Sequence, residues 1–309
     1  MYESVLQLLV LFILLAPSSS APPIRRSVNW YLSSSEIENN AALIADHPDV
    51  ITGGYLCCHY GGITANGSWS SIPTAEALAQ MKPLTAAGRE VWEVSNIAEA
   101  AVHSGAWARG LNDAVVALTP LAQAGLSGII IDYEPDDNYT VPHALAFAEY
   151  LGALVARLAP LRLAVGVDIA DWSILAPHYW PFYLNHGIAR FTSMSPTYDA
   201  TNVTEDRLFV SQALAVFPNG SYAAGVGSVL TDNAECVASK MDFNWTAETF
   251  APFVQFMSNT GVQTIDVWVC MKIAPHVFLA LLLSPLFLHL FVAIVHLLFV
   301  LVHLFFIAV

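Results

Sequence analysis

The segment Ser127-Gly128-Ile129-Ile130-Ile131-Asp132-Tyr133-Glu134-Pro135 ends an apolar run with two carboxylates two residues apart. Side chains alternate along a strand, so Ile130, Asp132 and Glu134 share one face while Ile129, Ile131 and Tyr133 share the other. Like charges this close raise the proton affinity of one partner. A carboxyl that keeps its proton near neutral pH is what general acid catalysis requires. A plainer reading makes the pair a structural cap on the strand end, but inward carboxylates in an apolar run need a reason.

The elements that must position this pair repeat along the chain. Eight β-rich runs stand out: Ser27 to Leu32, Val50 to Cys58, Glu90 to Ser95, Gly128 to Asp132, Leu163 to Asp168, Phe191 to Ser195, Tyr222 to Gly227 and Thr264 to Met271. Helical patterns separate them. Leu111, Val115, Leu118 and Ala122 recur at helical spacing within Gly110 to Ala124, and His143 to Leu158 behaves in the same way. Alternating strands and helices predict a parallel sheet, and eight repeats predict an α/β fold of the (β/α)8 TIM-barrel kind. No Gly-x-Gly-x-x-Gly follows the first run, which argues against a dinucleotide fold. Only an apolar tail follows Met271, so the closing helix is expected to be incomplete or atypical.

In such a barrel the C-terminal strand ends form the rim where active sites are built, and Asp132 and Glu134 fall there. The segment resembles the family 18 glycoside hydrolase (chitinase-like) signature Asp-Gly-x-Asp-x-Asp-x-Glu: Gly128, Asp132 and Glu134 match, while Ser127 and Ile130 stand where its first two aspartates belong. On the sixth run, Ser193-Met194-Ser195-Pro196-Thr197-Tyr198-Asp199 is similar to the family's Met-x-Tyr-Asp, stretched by two residues. On the eighth, Val267-Trp268-Val269 is similar to the strand whose tryptophan floors the sugar subsite. The likeness spans nearly all of residues 27 to 271.

The resemblance implies substrate-assisted, retaining hydrolysis, in which the sugar's own N-acetyl oxygen attacks its anomeric carbon; this family is an exception to the two-carboxylate scheme. Glu134 would protonate the leaving oxygen and later activate water. Asp132 would hold the acetamido N–H, Tyr198 would donate to the acetamido oxygen, and Trp268 would stack on the ring. Met194, Asp199 and Trp172 would complete the substrate-binding surface. No metal or organic cofactor is required. Ile130 cannot exchange a proton with Asp132, so it predicts slower turnover or a shifted pH optimum, and a raised pKa for Asp132. Plainer readings stay open beside these: Trp268 as a packed core aromatic, and Tyr198 and Asp199 as a turn; Asp168, Asp171 and Trp172 after the fifth run would sit at the same rim, where they either line the cleft or, as the favoured reading, form an ordinary loop.

Composition narrows the partners. Eleven basic against 25 acidic residues give a net charge of -14, which disfavours a nucleic acid because nothing would replace its counterions. The apolar run from Val5 to Leu15 and the small residues Ala16 to Ala21 predict a signal peptide over residues 1–21. Five sequons, at Asn66, Asn138, Asn202, Asn219 and Asn244, agree with passage through the secretory pathway as a glycoprotein. Residues 22–275 are then the barrel domain. Residues 276–309 hold no Asp, Glu, Lys or Arg and are long enough to cross a bilayer, so they predict a transmembrane anchor, with an altered C-terminus as the alternative; the protein is then expected at the cell surface, membrane-anchored, or extracellular. Mean hydropathy, +0.55, is inflated by the two ends. Cys57, Cys58, Cys236 and Cys270 allow three complete pairings, and no Cys-x-x-Cys suggests a zinc site.

Two functions follow from different classes. One is a glycosidase acting on β-linked N-acetylglucosamine polymers or glycans, such as chitin, chitooligosaccharides or N-glycans. The other is an inactive chitinase-like lectin that binds such sugars. Retention of Glu134 favours the enzyme and Ile130 the lectin; a membrane-tethered structural protein without sugar affinity is a third expectation.

Overall fold

The structure is a computed structural model, and it describes residues 27–32, 51–135, 140–194, 197, 202–229 and 247–270. Nine strands lie among them: β1 (Ser27–Leu32), β2 (Ile51–Ile63), β3 (Trp69–Ser71), β4 (Glu90–Ile97), β5 (Gly128–Ile131), β6 (Ala164–Ile169), β7 (Arg190–Ser193), β8 (Tyr222–Val229) and β9 (Thr264–Cys270). All but β3 pair in parallel, in the order β1-β9-β8-β7-β6-β5-β4-β2, and β1 pairs with β2 as well as with β9. Parallel neighbours need a crossover, and six helices supply most of them: α1 (Thr74–Ala86), α2 (Glu99–Ser104), α3 (Gly110–Gln123), α4 (Val141–Leu158), α5 (Val203–Val216) and α6 (Ala247–Thr260). The result is a mixed α/β fold on a parallel sheet.

Strands buried on both faces read as continuous apolar runs, and β5, Gly-Ile-Ile-Ile, is the plainest case. Ile130 packs on one face with Tyr55, Trp92 and Val94 in a small inner cluster. Ile129 and Ile131 face the other way, into the large cluster that the helices cover with Leu118, Phe147, Leu151 and Leu154. The alternation expected from the sequence is therefore the alternation observed. Gly128 is required at the start of this strand because a Cβ there would stand 2.6 Å from both the Trp92 ring and the Ala164 carbonyl oxygen.

Three expectations change. Strand β3 is additional: it turns back antiparallel on β2, with Ile63 opposite Trp69. The Asn66-Gly67 pair makes that turn, with Gly67 at φ +81, and Arg109 Nη2 ties it down by donating to the Asn66 carbonyl at 2.6 Å. Second, the β6–β7 connection holds no α-helix, only the 3-10 turns Ser173–Leu175, Trp180–Phe182 and Leu184–His186. Pro177 and Pro181 interrupt a longer helix. Aromatic side chains bond its carbonyls instead: Trp180 Nε1 donates to Leu175 O at 2.7 Å and Tyr183 OH to Ile174 O at 2.6 Å. Third, strand bounds shift by a few residues, most for β2, which continues to Ile63 rather than stopping at Cys58.

The leader over 1–21, the tail over 276–309, Cys236 and the sequons at Asn138 and Asn244 lie outside the described residues, as do the side chains of Cys57, Cys58 and Cys270.

Candidate active site

Strand β5 delivers the two carboxylates. Its ladder extends one residue past its end, because the Asp132 N–H donates to the Ser95 carbonyl of β4 at 2.8 Å. That bond fixes Asp132 on the inner face with Ile130. Tyr133 turns outward into the core, its ring 4.7 Å from that of Phe147 on α4, and Pro135 beyond it is buried. Glu134, between two anchored neighbours, is exposed at the rim. Helix α4 starts just beyond: Thr140 N–H donates to His143 Nδ1 at 3.2 Å as half of a capping box.

Asp132 is half-buried, and its Oδ1 has no hydrogen-bond partner among the described residues. Burial, and then the charge of Glu134, push its carboxyl up to about 7, so it gains and loses its proton near neutral pH.

Two groups that the sequence reading set aside or missed complete the inner face. Asp168 is not in a loop; it lies within β6 and is 0% exposed. Asp266, on β9, is equally buried and accepts from Tyr55 OH at 2.8 Å and from Thr192 Oγ1 at 2.7 Å. Arg190 Nη1 donates to the Tyr55 hydroxyl at 2.8 Å, its guanidinium lies 4.5 Å from the Trp92 ring centre, and its Nη2 reaches Glu90 at 3.5 Å. The legible signal was the same at both aspartates: a carboxylate inside an apolar strand, in Ala164–Ile169 and Thr264–Cys270.

The remaining expected residues are scattered. Met194, 2% exposed, belongs to the large apolar cluster, and Trp172 packs partly buried against the same cluster. The residue after it, Ser173, takes φ +53, a left-handed conformation costing a non-glycine residue about 1 kcal/mol. Tyr198 and Asp199 lie outside the described residues; before them in the chain, Ser193 Oγ accepts from Gly225 N–H at 3.0 Å and lies 2.8 Å from Thr197 Oγ1. Trp268 sits on β9 opposite Gly227, its side chain not among those described. Asn66, Asn202 and Asn219 are exposed. Among the described residues no group of three or more His, Cys, Asp or Glu is arranged to hold a metal ion.

No protein-family model matches the chain, and no curated protein matches it by sequence. Its fold is nevertheless similar to solved structures. One is a class V chitinase from Pseudomonas fluorescens Pf-5, 16% identical over 84% of this chain and 99% of that one, with a TM-score of 0.59. A second is the spore cortex-lytic enzyme SleL of Bacillus cereus, 14% identical over 84% of this chain and 74% of that one, at 0.57. A third is a family 18 chitinase from Crocus vernus, 17% identical over 79% of this chain and 92% of that one, at 0.53. At these identities the likeness is one of fold: a parallel-sheet α/β architecture similar to chitinase-like barrels.

Proposed function

We propose that the chain is a chitinase-like glycoside hydrolase that cleaves β-linked N-acetylglucosamine polymers or oligosaccharides by substrate-assisted, retaining catalysis on a (β/α)8-type barrel with an incomplete or atypical closing helix. The observation that carries this reading is the pair on β5. Glu134 is exposed at the rim two residues beyond Asp132, whose carboxyl is raised to about 7, on a fold shared with chitinases. The double pairing of β1 supports closure of the sheet into a barrel. Glu134 protonates the leaving oxygen and then accepts a proton from water, Asp132 orients the acetamido group, and Tyr198 and Trp268 bind the sugar.

The test is release of a fluorophore from a chitobioside or chitotrioside between pH 4 and 8, beside Glu134→Gln. Cleavage lost in the variant supports the reading; a folded protein that binds the sugar without cutting it replaces the reading with a lectin. Ile130 favours that second reading, because it places a hydrocarbon on the catalytic face two residues before Asp132.

Secretion, N-glycosylation and a C-terminal membrane anchor belong to the same proposal. The exposure of Asn66, Asn202 and Asn219 supports glycan attachment. Mass loss on treatment with an N-glycosidase after expression in a eukaryotic secretory host tests it.

A further inference from the structure

Asp168 presents an unresolved debt of hydrogen bonds. It is fully buried, and neither carboxyl oxygen has a partner among the described residues. An isolated ionised carboxylate in such a place is strongly unfavourable, so the group either keeps its proton or meets a neighbour that shares one. The sheet register names that neighbour. Ile131 of β5 pairs with Val167 of β6, so the next residues along, Asp132 and Asp168, are adjacent on strands about 4.8 Å apart. Both lie on the inner face, and Asp132 Oδ1 is the other unpartnered oxygen there.

Among the described residues, the donors on the neighbouring strands are committed elsewhere. On β7, Thr192 is its register partner, yet the Thr192 hydroxyl donates to Asp266. Tyr55 also donates to Asp266, and Arg190 donates to Tyr55 and pairs with Glu90. The other charged groups acting on Asp168 are the carboxylates Asp132, Asp266 and Glu134. Burial first, and then those three charges, hold its carboxyl well above the usual carboxylate range.

We propose that Asp168 is a positioning residue of the candidate active site: when protonated, this buried carboxylic acid on β6 turns to donate a hydrogen bond to Asp132, the partner that its oxygens lack among the described residues, and stores the proton the pair shares. The bond orients Asp132 from the neighbouring strand. It also supplies across the strand gap the proton partner that Ile130 cannot be. The proposal rests on the reading of Asp132 and Glu134 as the reacting pair.

Two readouts on the full-length protein test it. The first is carboxyl-carbon NMR titration of aspartate-labelled wild type, Asp132→Asn and Asp168→Asn. Asp168 should titrate far above an ordinary aspartate in the wild type and fall by about one pKa unit or more in Asp132→Asn, as its nearest charge is removed. The highest step should disappear in Asp168→Asn. An Asp168 titration that ignores Asp132→Asn overturns the proposal, whether or not the protein cleaves sugar. The second is the pH profile of kcat on a chitobioside. Asp168→Asn should lower kcat by roughly tenfold or more and displace the profile, with KM little changed. An unchanged profile in a folded variant overturns the proposal while leaving the glycosidase reading intact. Absence of cleavage by the wild type removes the glycosidase reading, and the titration then decides the proton-sharing pair alone.

Discussion

The Tyr55 hydroxyl donates to Asp266 Oδ2 at 2.8 Å, joining two residues 211 positions apart. Strand β1 lies between their strands β2 and β9, so the bond spans the strand that meets both of its neighbours. Asp266 is buried and is held by this donor and Thr192, while Arg190 bonds the same tyrosine. Removing the hydroxyl breaks two bonds of one buried network. Tyr55→Phe is expected to lower stability by about 1–3 kcal/mol, measured by urea unfolding, because it leaves buried polar groups short of a partner. An unchanged midpoint would show that the network adds nothing to the fold.

Ile130 packs fully buried against Tyr55, Trp92 and Val94. Ile130→Asp sets a carboxyl among these side chains, and burial must hold it protonated. The variant should lose about 1–3 kcal/mol or more, and lose further stability as pH rises, because ionising the new group in place is costly. Its turnover per folded molecule should nevertheless rise, since the added carboxyl gives Asp132 a second proton partner. Unfolding midpoints at two pH values, read beside kcat, check both halves; equal stability to wild type at high pH would refute the first, and unchanged kcat the second.

Glu93 gives a separate pH signature. It sits on β4, 1% exposed, with Oε2 unpartnered among the described residues and Oε1 accepting from Ser95 at 3.1 Å. Burial raises its carboxyl from the ordinary 4.5 to about 8, and the Ser95 bond offsets this in part. The folded state therefore binds a proton that the unfolded chain releases, so this contribution is intact below about 4.5 and is lost as pH climbs through about 8. Asp132 and Asp168, also raised, act in the same direction. Glu93→Gln should flatten the decline between pH 5 and 8 in thermal unfolding, each pKa unit removed being about 1.4 kcal/mol. A variant that declines as steeply as wild type would exclude the carboxyl as a contributor.

Asn202 serves two purposes that substitution can separate. Its Oδ1 caps α5 by accepting from Glu205 N–H at 3.3 Å, and its Nδ2, the atom a glycan would occupy, donates to Glu205 Oε2 at 3.0 Å. Asn202→Ser removes the sequon but keeps a capping oxygen, whereas Asn202→Ala removes both. The alanine variant should be less stable than the serine variant by about 0.5–2 kcal/mol. Both should lose the same glycan mass when secreted. Equal stability would mean that the cap is idle.

The parts of the fold legible in the sequence were those set by short-range rules. The inward turn of Ile130 and the outward turn of Ile129 and Ile131 follow from strand alternation alone, and α3 starts at Gly110 as its apolar spacing predicts. Less visible were features that depend on neighbours distant in sequence. Asp168 stands in an apolar strand, and its significance depends on Asp132, which only the β5–β6 register brings beside it. Asp266 likewise acquires a role from Tyr55 and Thr192 on other strands. Strand β3 had a local signal in Asn66-Gly67, but three residues are too few for alternation to register. Trp172 and Met194 carry side chains suited equally to a sugar and to a core, and their packing against the large cluster is a matter of tertiary context.

The inner layer built from Tyr55, Trp92, Val94 and Ile130, with Arg190 stacked over Trp92, also decides traffic. These four side chains are buried, so the inner face of β5 before Asp132 is filled by packed side chains. On the proposed glycosidase reading, a long polymer would therefore meet Glu134 from the exposed end of β5 and lie across it like a rope over a sill.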